Sequence, residues 1–232
     1  DKRICQDSMK INLSKFKGIA FDLDDTLIDR KKAFDKLCIK LSEDFDCFNH
    51  FSKKEALKYF WGLNSFNDFN IKSSLQQINK DFHNFGLSYQ EFYDYYYKNM
   101  SEIVEANEGA SHLLDKLIEK KINFGIVTNG SHYQYQKIKN TGLENKHNFV
   151  IASEIFGHSK PKKEIFLETL RLLNLTVKEV ENVVFIGDNP YTDIIGAQSI
   201  GMKTIWISMG RKYPEALDPP NYIIENIKEL DI

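Results

Sequence analysis

Cysteine is scarce. Cys5, Cys38 and Cys47 are the three in 232 residues, and no two form a Cys-x-x-Cys pair. An odd, sparse set excludes a disulfide framework and reads as free thiols in a reducing compartment. No uninterrupted apolar run approaches the roughly 20 residues of a membrane span, and no secretory apolar segment opens the chain. An excess of one charge is also missing: 31 Lys and Arg stand against 33 Asp and Glu, a net charge of −2. Nothing in that balance recruits nucleic acid or an anionic membrane. Together these absences lead to the expectation of a cytoplasmic protein. There is no internal repeat, no low-complexity tract and no signal of oligomeric state.

What is present is a globular composition, 42% hydrophobic and 28% charged, in a chain long enough for one large domain or two modest ones. Asp1 to Ser8 has no periodicity and reads as a leader ahead of Met9. The stretch that organises the rest is Gly18-Ile19-Ala20-Phe21-Asp22-Leu23-Asp24-Asp25-Thr26-Leu27. Its apolar run has the length of a buried strand, and three carboxylates follow where that strand emerges. Alternation in an extended chain would put Asp22 and Asp24 on one side. Carboxylates held that close repel unless a cation or a proton intervenes. The stretch therefore predicts a hard-metal site, a nucleophile with an acid/base partner, or both; the plainer reading is an Asp-rich turn or a helix start.

Phe16–Phe21 is the first expected strand, and the next with a comparable ending is Ile122–Val127, closed by Thr128-Asn129-Gly130. About a hundred residues intervene, too many for a structureless loop, so the insert must carry its own fold. Apolar residues at helical spacing predict helices over 31–45, 53–61, 73–85 and 88–104, with loops at 62–70 and 81–86. Four amphipathic helices make a small bundle, and its Tyr and Phe content reads as bundle core rather than an aromatic ligand box. After Gly109, helices over 110–121, 133–141, 162–173 and 192–199 alternate with strands over 149–152, 183–186, 203–208 and 222–224. Pro161 is expected at the start of the third of these helices. That alternation predicts a doubly wound α/β fold, a parallel sheet covered on both faces. The expected division is a core of residues 10–30 and 104–232 with a helical insert at 31–103.

Three apolar strands end in Asp22 with Asp24, in Thr128 with Asn129, and in Asp188. In a doubly wound sheet the carboxyl ends of the strands share one edge, where ligands bind. These distant residues should therefore meet. Carboxylates and a backbone carbonyl suit Mg²⁺. Thr128 and the N–H groups after it can cradle phosphate oxygens. Lys160, just before a proline-started helix, can neutralise a phosphate. Asp193 can steady Lys160 or a metal-bound water.

Asp22-x-Asp24-x-Thr26, Thr128-Asn129-Gly130, Lys160-Pro161 and Gly187-Asp188-Asn189-x-x-x-Asp193 resemble, in order, the four motifs of the haloacid dehalogenase-like hydrolase superfamily. The resemblance covers about two thirds of the chain, and the helical insert resembles that family's C1-type cap. It implies a Rossmann-like core and a Mg²⁺-dependent phosphatase acting on a small phosphorylated metabolite. It further implies Asp22 as nucleophile and metal ligand, and Asp24 as general acid/base that also offers its carbonyl to the metal. Thr128, Asn129 and Lys160 would bind the phosphoryl group, Asp188 would be a metal ligand and Asp193 a supporting carboxylate. The core looks like the branch holding nucleoside-monophosphate, phosphoglycolate and N-acylneuraminate-9-phosphatases.

Rival readings are a dehalogenase, against which Asp24 argues, a phosphomutase, and a signalling module that stores a phosphoaspartate without turnover. Asp25 reads as a solvated or capping carboxylate. His158 reads as a surface or hydrogen-bonded residue, and His132 as a candidate substrate neighbour. Gly187 reads as backbone space against the metal site.

Overall fold

The computed structural model describes residues 10–63 and 69–232. The expected leader, and most of the loop expected at 62–70, lie outside these. By contacts the chain divides into two compact units, one running up to Asp29 and resuming at Ala106–Ile232, the other Arg30–Glu105.

The first unit is an α/β core. Its strands are β1 (Ile11–Asn12), β2 (Gly18–Phe21), β3 (Phe124–Thr128), β4 (Phe149–Ala152), β5 (Val183–Gly187), β6 (Lys203–Ile207), β7 (Tyr222–Ile224) and β8 (Leu230–Asp231). Six of them form one sheet in the order β4-β3-β2-β5-β6-β7, parallel throughout. Counted within that sheet the order is 3-2-1-4-5-6, the doubly wound arrangement whose strand order reverses beside its first strand. The central strands are apolar without alternation because both faces are covered. Ile19, Ala20 and Phe21 of β2, and Val183 to Ile186 of β5, are all fully buried. On one face Ala20, Val183 and Phe185 pack with Ile165, Phe166, Leu170 and Ala197, which come from α8 (Lys163–Leu172) and α9 (Ile195–Gln198).

Several boundaries differ from expectation for local reasons. The first strand starts at Gly18 because a 3-10 turn at Leu13–Lys15 precedes it. β3 starts at Phe124 because Ile122 still donates its N–H to Leu117 O, 3.0 Å, closing α5 (Ala110–Glu119). The helix expected over 192–199 is a π-turn at Pro190–Ile194 running into α9, capped by the Asn189 side chain. Pro161 is not inside α8: Lys162 is that helix's N-cap, and Pro161 precedes it on a cis peptide bond from Lys160. The parallel pair β1–β8 and the one-turn α7 (Ser153–Phe156) were too short to leave a periodic signal.

The second unit holds α1 (Arg30–Asp44), α2 (Lys53–Gly62), α3 (Ile71–Asp81) and α4 (Tyr89–Ile103). Ser52 with Glu55 and Ser88 with Glu91 form capping boxes that start α2 and α4. α3 stops at Asp81, short of the expected 85, because Phe82 leaves helical geometry. The interior is aromatic. Phe48 is fully buried and meets Phe82 and Phe60 edge-on, at centroid distances of 4.8 and 5.2 Å. The polar tips turn to carboxylates: Trp61 Nε1 donates to Asp35 (2.6 Å), Tyr59 to Asp81 (2.9 Å) and Tyr95 to Asp44 (2.7 Å). Phe48 and Phe60 are core, and the half-buried Trp61, Tyr59 and Tyr95 around them have their polar ends satisfied.

Phe48→Ala is accordingly expected to destabilise the helical unit by about 3–5 kcal/mol, the range for emptying a packed aromatic site. Hydrogen exchange of α1 to α4 amides reads the change directly. A loss below about 1 kcal/mol would mean that these rings do not hold the unit together.

Candidate active site

The site is assembled at the carboxyl edge of the sheet. β2 ends at Phe21, and the Asp22 N–H still donates to Ile186 O, 2.8 Å, so Asp22 leaves the sheet in register with β5. The chain then closes a tight turn in which Thr26, Leu27 and Ile28 all donate to Leu23 O. Asp25 lies in this turn at φ 60°, a left-handed conformation that Asp tolerates better than most residues. It is buried, which corrects the reading of a solvated carboxylate. Asn107 pins the turn from the returning chain, its side chain on Thr26 O and its N–H on Leu27 O, both 2.9 Å.

Lys160 is the centre of charge. Its side chain is 2% exposed and its Nζ lies 2.5 Å from Asp22 Oδ1 and 2.8 Å from Asp193 Oδ1. It also donates to Val127 O at 2.9 Å, so all three of its protons are placed. Burial works against the Lys160 charge, yet the Asp193 and Asp22 carboxylates outweigh it and hold its pKa above the ordinary lysine range. Asn129 fixes the lysine's backbone on both sides: its Oδ1 accepts from Lys160 N (2.9 Å) and its Nδ2 donates to Lys160 O (3.0 Å). The Asn129 side chain thus serves Lys160, and the Gly130 N–H donates to Ser153 Oγ (3.0 Å).

Asp22, Asp188 and Asp193 each offer an oxygen within 4.8 Å of the other two. Burial pushes the Asp22 carboxyl well above the usual carboxylate range; Lys160 opposes that, and Asp193 and Asp188 add to it. This much negative charge against the Lys160 ammonium is a hard-oxygen donor set that fits a divalent cation. Asp193 reaches its place because Gly187 has no side chain: a Cβ there would lie 2.3 Å from Asp193 Oδ2. The Asn189 N–H holds that same oxygen at 3.0 Å. Asp188 is held from outside the expected set. Arg211 donates to its carboxylate (3.1 Å) and its carbonyl (2.8 Å), and Trp206 Nε1 donates to the same carbonyl (2.8 Å).

Asp24 faces different partners. Lys137 Nζ donates to its Oδ1 and Gln134 Nε2 to its Oδ2, each at 2.7 Å. Gln134 also donates to Thr128 Oγ1 at 2.5 Å. Both residues come from α6 (Tyr133–Asn140). The expected residues therefore fall into two linked groups, Asp22–Lys160–Asp193 beside Asp188, and Asp24–Gln134–Thr128. His132 and His158 lie against Tyr133 and Phe156 in tilted ring contacts, with centroids 4.2 and 5.7 Å apart. Gln134, Lys137 and Arg211 escaped sequence reasoning. None of the three carries a sequence signal that separates it from a solvated surface residue.

The model of a family described as haloacid dehalogenase-like hydrolase matches residues 19–207, which include every residue of both groups. The chain belongs to the haloacid dehalogenase-like hydrolases. Among curated relatives it is 26% identical to glyceraldehyde 3-phosphate phosphatase of Pyrococcus furiosus, over 94% of this chain and 92% of that one. It is 31% identical to the pyrimidine 5'-nucleotidase YjjG of Escherichia coli, over 57% and 58%. The magnesium-bound structure of the HAD-hydrolase YfnB from Bacillus subtilis has the same fold, with a TM-score of 0.70 over 93% of this chain and 96% of that one at 24% identity. This haloacid dehalogenase-like fold thus carries the expected motif residues at its sheet edge.

The raised Asp22 pKa makes a stability prediction. A carboxyl whose folded pKa lies above its unfolded one contributes stability at low pH that is lost as pH rises through the folded value. Asp22→Asn removes the charge and keeps an acceptor for Lys160. It is expected to stabilise the metal-free protein at neutral pH by about 1–2 kcal/mol, an advantage that fades as pH falls through the raised Asp22 value and is gone below about pH 4, where Asp22 is neutral in both states. Urea denaturation in chelator measures this, and a destabilised variant at neutral pH would refute the electrostatic account.

Proposed function

We propose that this hydrolase cleaves small phosphate monoesters through a phosphoaspartate on Asp22. It is a phosphoric monoester hydrolase, and the named phosphatases among its relatives support the class. The observation that carries the mechanistic reading is the convergence of Asp22, Asp188 and Asp193 on one point with Lys160 bonded to two of them.

Lys160 takes one oxygen of Asp22 and leaves the other to attack phosphorus, so that one difficult displacement becomes two easier ones. As the P–O ester bond breaks, the Asp24 carboxyl delivers its proton to the departing oxygen. The Asp24 carboxylate so formed then takes a proton from the water that attacks the phosphoaspartate, releasing inorganic phosphate and restoring Asp22. Lys160 holds charge on the phosphoryl oxygens in both steps. Thr128 accepts from Gln134 at 2.5 Å, and its own hydrogen, which reaches only Asn129 O at 3.5 Å, can turn to a phosphoryl oxygen. Asp22, Asp188 and the Asp24 carbonyl are the groups that would hold Mg²⁺, which, when bound, offsets the repulsion between an anionic nucleophile and an anionic ester. Asp193 steadies Lys160, and Asn129 acts through the same lysine.

Chelation is expected to stop phosphate release and Mg²⁺ to restore it. Ca²⁺ should restore it poorly, because its larger and looser coordination misplaces the phosphate. Asp22→Asn should lose turnover entirely. Full activity in exhaustive chelator, or residual turnover in a sample of the Asp22→Asn variant checked for deamidation, would refute the mechanism.

The helical unit is proposed as the substrate selector. Support comes from the core itself, where Ile28 bridges Ala106, so the chain leaves for the insert and returns from it beside the Asp24 turn. Substitutions at exposed polar positions of α1 to α4 should change relative rates across nucleotides, sugar phosphates and small acid phosphates. They should change p-nitrophenyl phosphate hydrolysis less. Folded variants that slow every substrate equally would remove this role.

A further inference from the structure

Lys137 is a buried ammonium that the proposed chemistry does not use. Its side chain is 5% exposed, while that of its partner Asp24 is 20% exposed. Burying an ammonium is costly unless its partner is well placed, so this lysine is an expensive way merely to pack a helix against a turn. Gln134 lies three residues earlier on α6, on the same helix face, and is 2% exposed. Its amide divides two N–H groups among Asp24 Oδ2 (2.7 Å), Thr128 Oγ1 (2.5 Å) and Asn129 O (3.3 Å). Gly130 makes room for it: at φ 140° and without a side chain, its missing Cβ would lie 3.0 Å from Gln134 Cγ.

The two donors take different oxygens of one carboxylate. A single donor would let the Asp24 carboxylate rotate about its Cβ–Cγ bond. Two donors fixed one helical turn apart define the carboxylate plane and the outward direction of the remaining lone pairs. Proton transfer demands that kind of fixed geometry, and small misplacements cost large factors in rate. Gln134 ties the same arrangement to Thr128, so the acid/base carboxylate and the phosphate-binding hydroxyl are set against each other by one side chain.

We infer that Lys137 and Gln134 are positioning residues that orient Asp24 for proton transfer to the leaving group. The inference rests on the acid/base reading of Asp24 and adds to it the pair that aims the carboxylate. Both residues act through the Asp24 carboxylate and are assigned no contact with the substrate.

The test compares phenyl phosphate with p-nitrophenyl phosphate, on the Mg²⁺-loaded full chain. The first leaves as a basic phenolate that needs a proton, the second as a stable anion that does not. kcat/KM reads the steps up to formation of the phosphoaspartate. In Lys137→Met the ratio of kcat/KM for the two esters is expected to move about tenfold against phenyl phosphate, within the span of lost general acid catalysis. KM should stay within about twofold, and Lys137→Arg, which keeps a charged donor, should recover part of the ratio. A merely structural role would lower both esters alike, and that result overturns the inference, as does an unchanged ratio. Gln134→Leu supplies the same comparison if Lys137→Met does not fold. Asp24→Asn separates the two levels of the reading. If it shifts the ratio and the α6 variants do not, the positioning role alone is wrong. If it leaves the ratio unchanged, the acid/base reading fails and takes the positioning role with it.

Discussion

Repulsion among carboxylates is the constraint around which the core is built. Asp22, Asp188 and Asp193 bring three negative charges to one place, in surroundings that already penalise charge. Lys160 is the answer the chain itself supplies, and the local structure serves to hold that ammonium still. Asn129 grips its backbone, Val127 O takes its third proton, and Gly187 gives up a side chain so that Asp193 can come within reach. A single lysine does not neutralise the cluster: burial first, and then Asp193 and Asp188, hold the Asp22 carboxyl above the usual range against the pull of Lys160. That remainder of unrelieved charge is what a divalent cation would relieve, so an arrangement that destabilises the metal-free site strengthens the loaded one.

The sheet makes this arrangement economical in chain length. In an all-parallel sheet each strand delivers its last residues to the same edge, and the reversal of strand order opens a crevice there. Asp22 follows β2 and Asp188 follows β5, the two strands paired across that reversal. Residues more than 160 positions apart thus become neighbours, each placed directly after its own strand. Asp193 and Asn189 then use the π-turn at Pro190–Ile194. Such turns are uncommon and gather at functional sites; here the turn brings a buried carboxylate back toward the strand end.

This economy also explains what could be read from the chain. Strands buried on both faces are continuous apolar runs, so β2, β3 and β5 were legible, as were the polar residues at their ends. Helices with an apolar stripe and a capping box, such as α4, were equally open. The two-residue strands β1 and β8 carry no period, and the one-turn α7 is shorter than the window in which a period can be seen. The supporting side chains were hidden for another reason. Gln134 and Lys137 are polar residues on a helix, indistinguishable in one dimension from a solvated face, and only the packing of α6 against the Asp24 turn makes them interior. Arg211 reaches Asp188 from a coil segment, where nothing local announces a partner 23 residues away. Motifs record the groups that react; the groups that aim them are set by tertiary contact.

The turn from Asp24 to Ile28 shows how the core tolerates a 76-residue helical unit at Arg30–Glu105. Leu23 O collects the N–H groups of the turn, Asn107 holds it from the far side, and Ile28 bridges Ala106. The Asp24 turn is therefore closed on residues of the core before the chain departs. Loop closure costs grow only slowly with the length of what lies between two fixed ends, so the insert places little demand on the geometry of Asp22 and Asp24. The helical unit in turn carries its own aromatic interior and its own capping boxes. Because each unit has its own sources of stability, the residues of the insert can change without disturbing the geometry of Asp22, Asp24 and Lys160. The insert is therefore free to vary in sequence while the sheet edge is held by residues of the core alone.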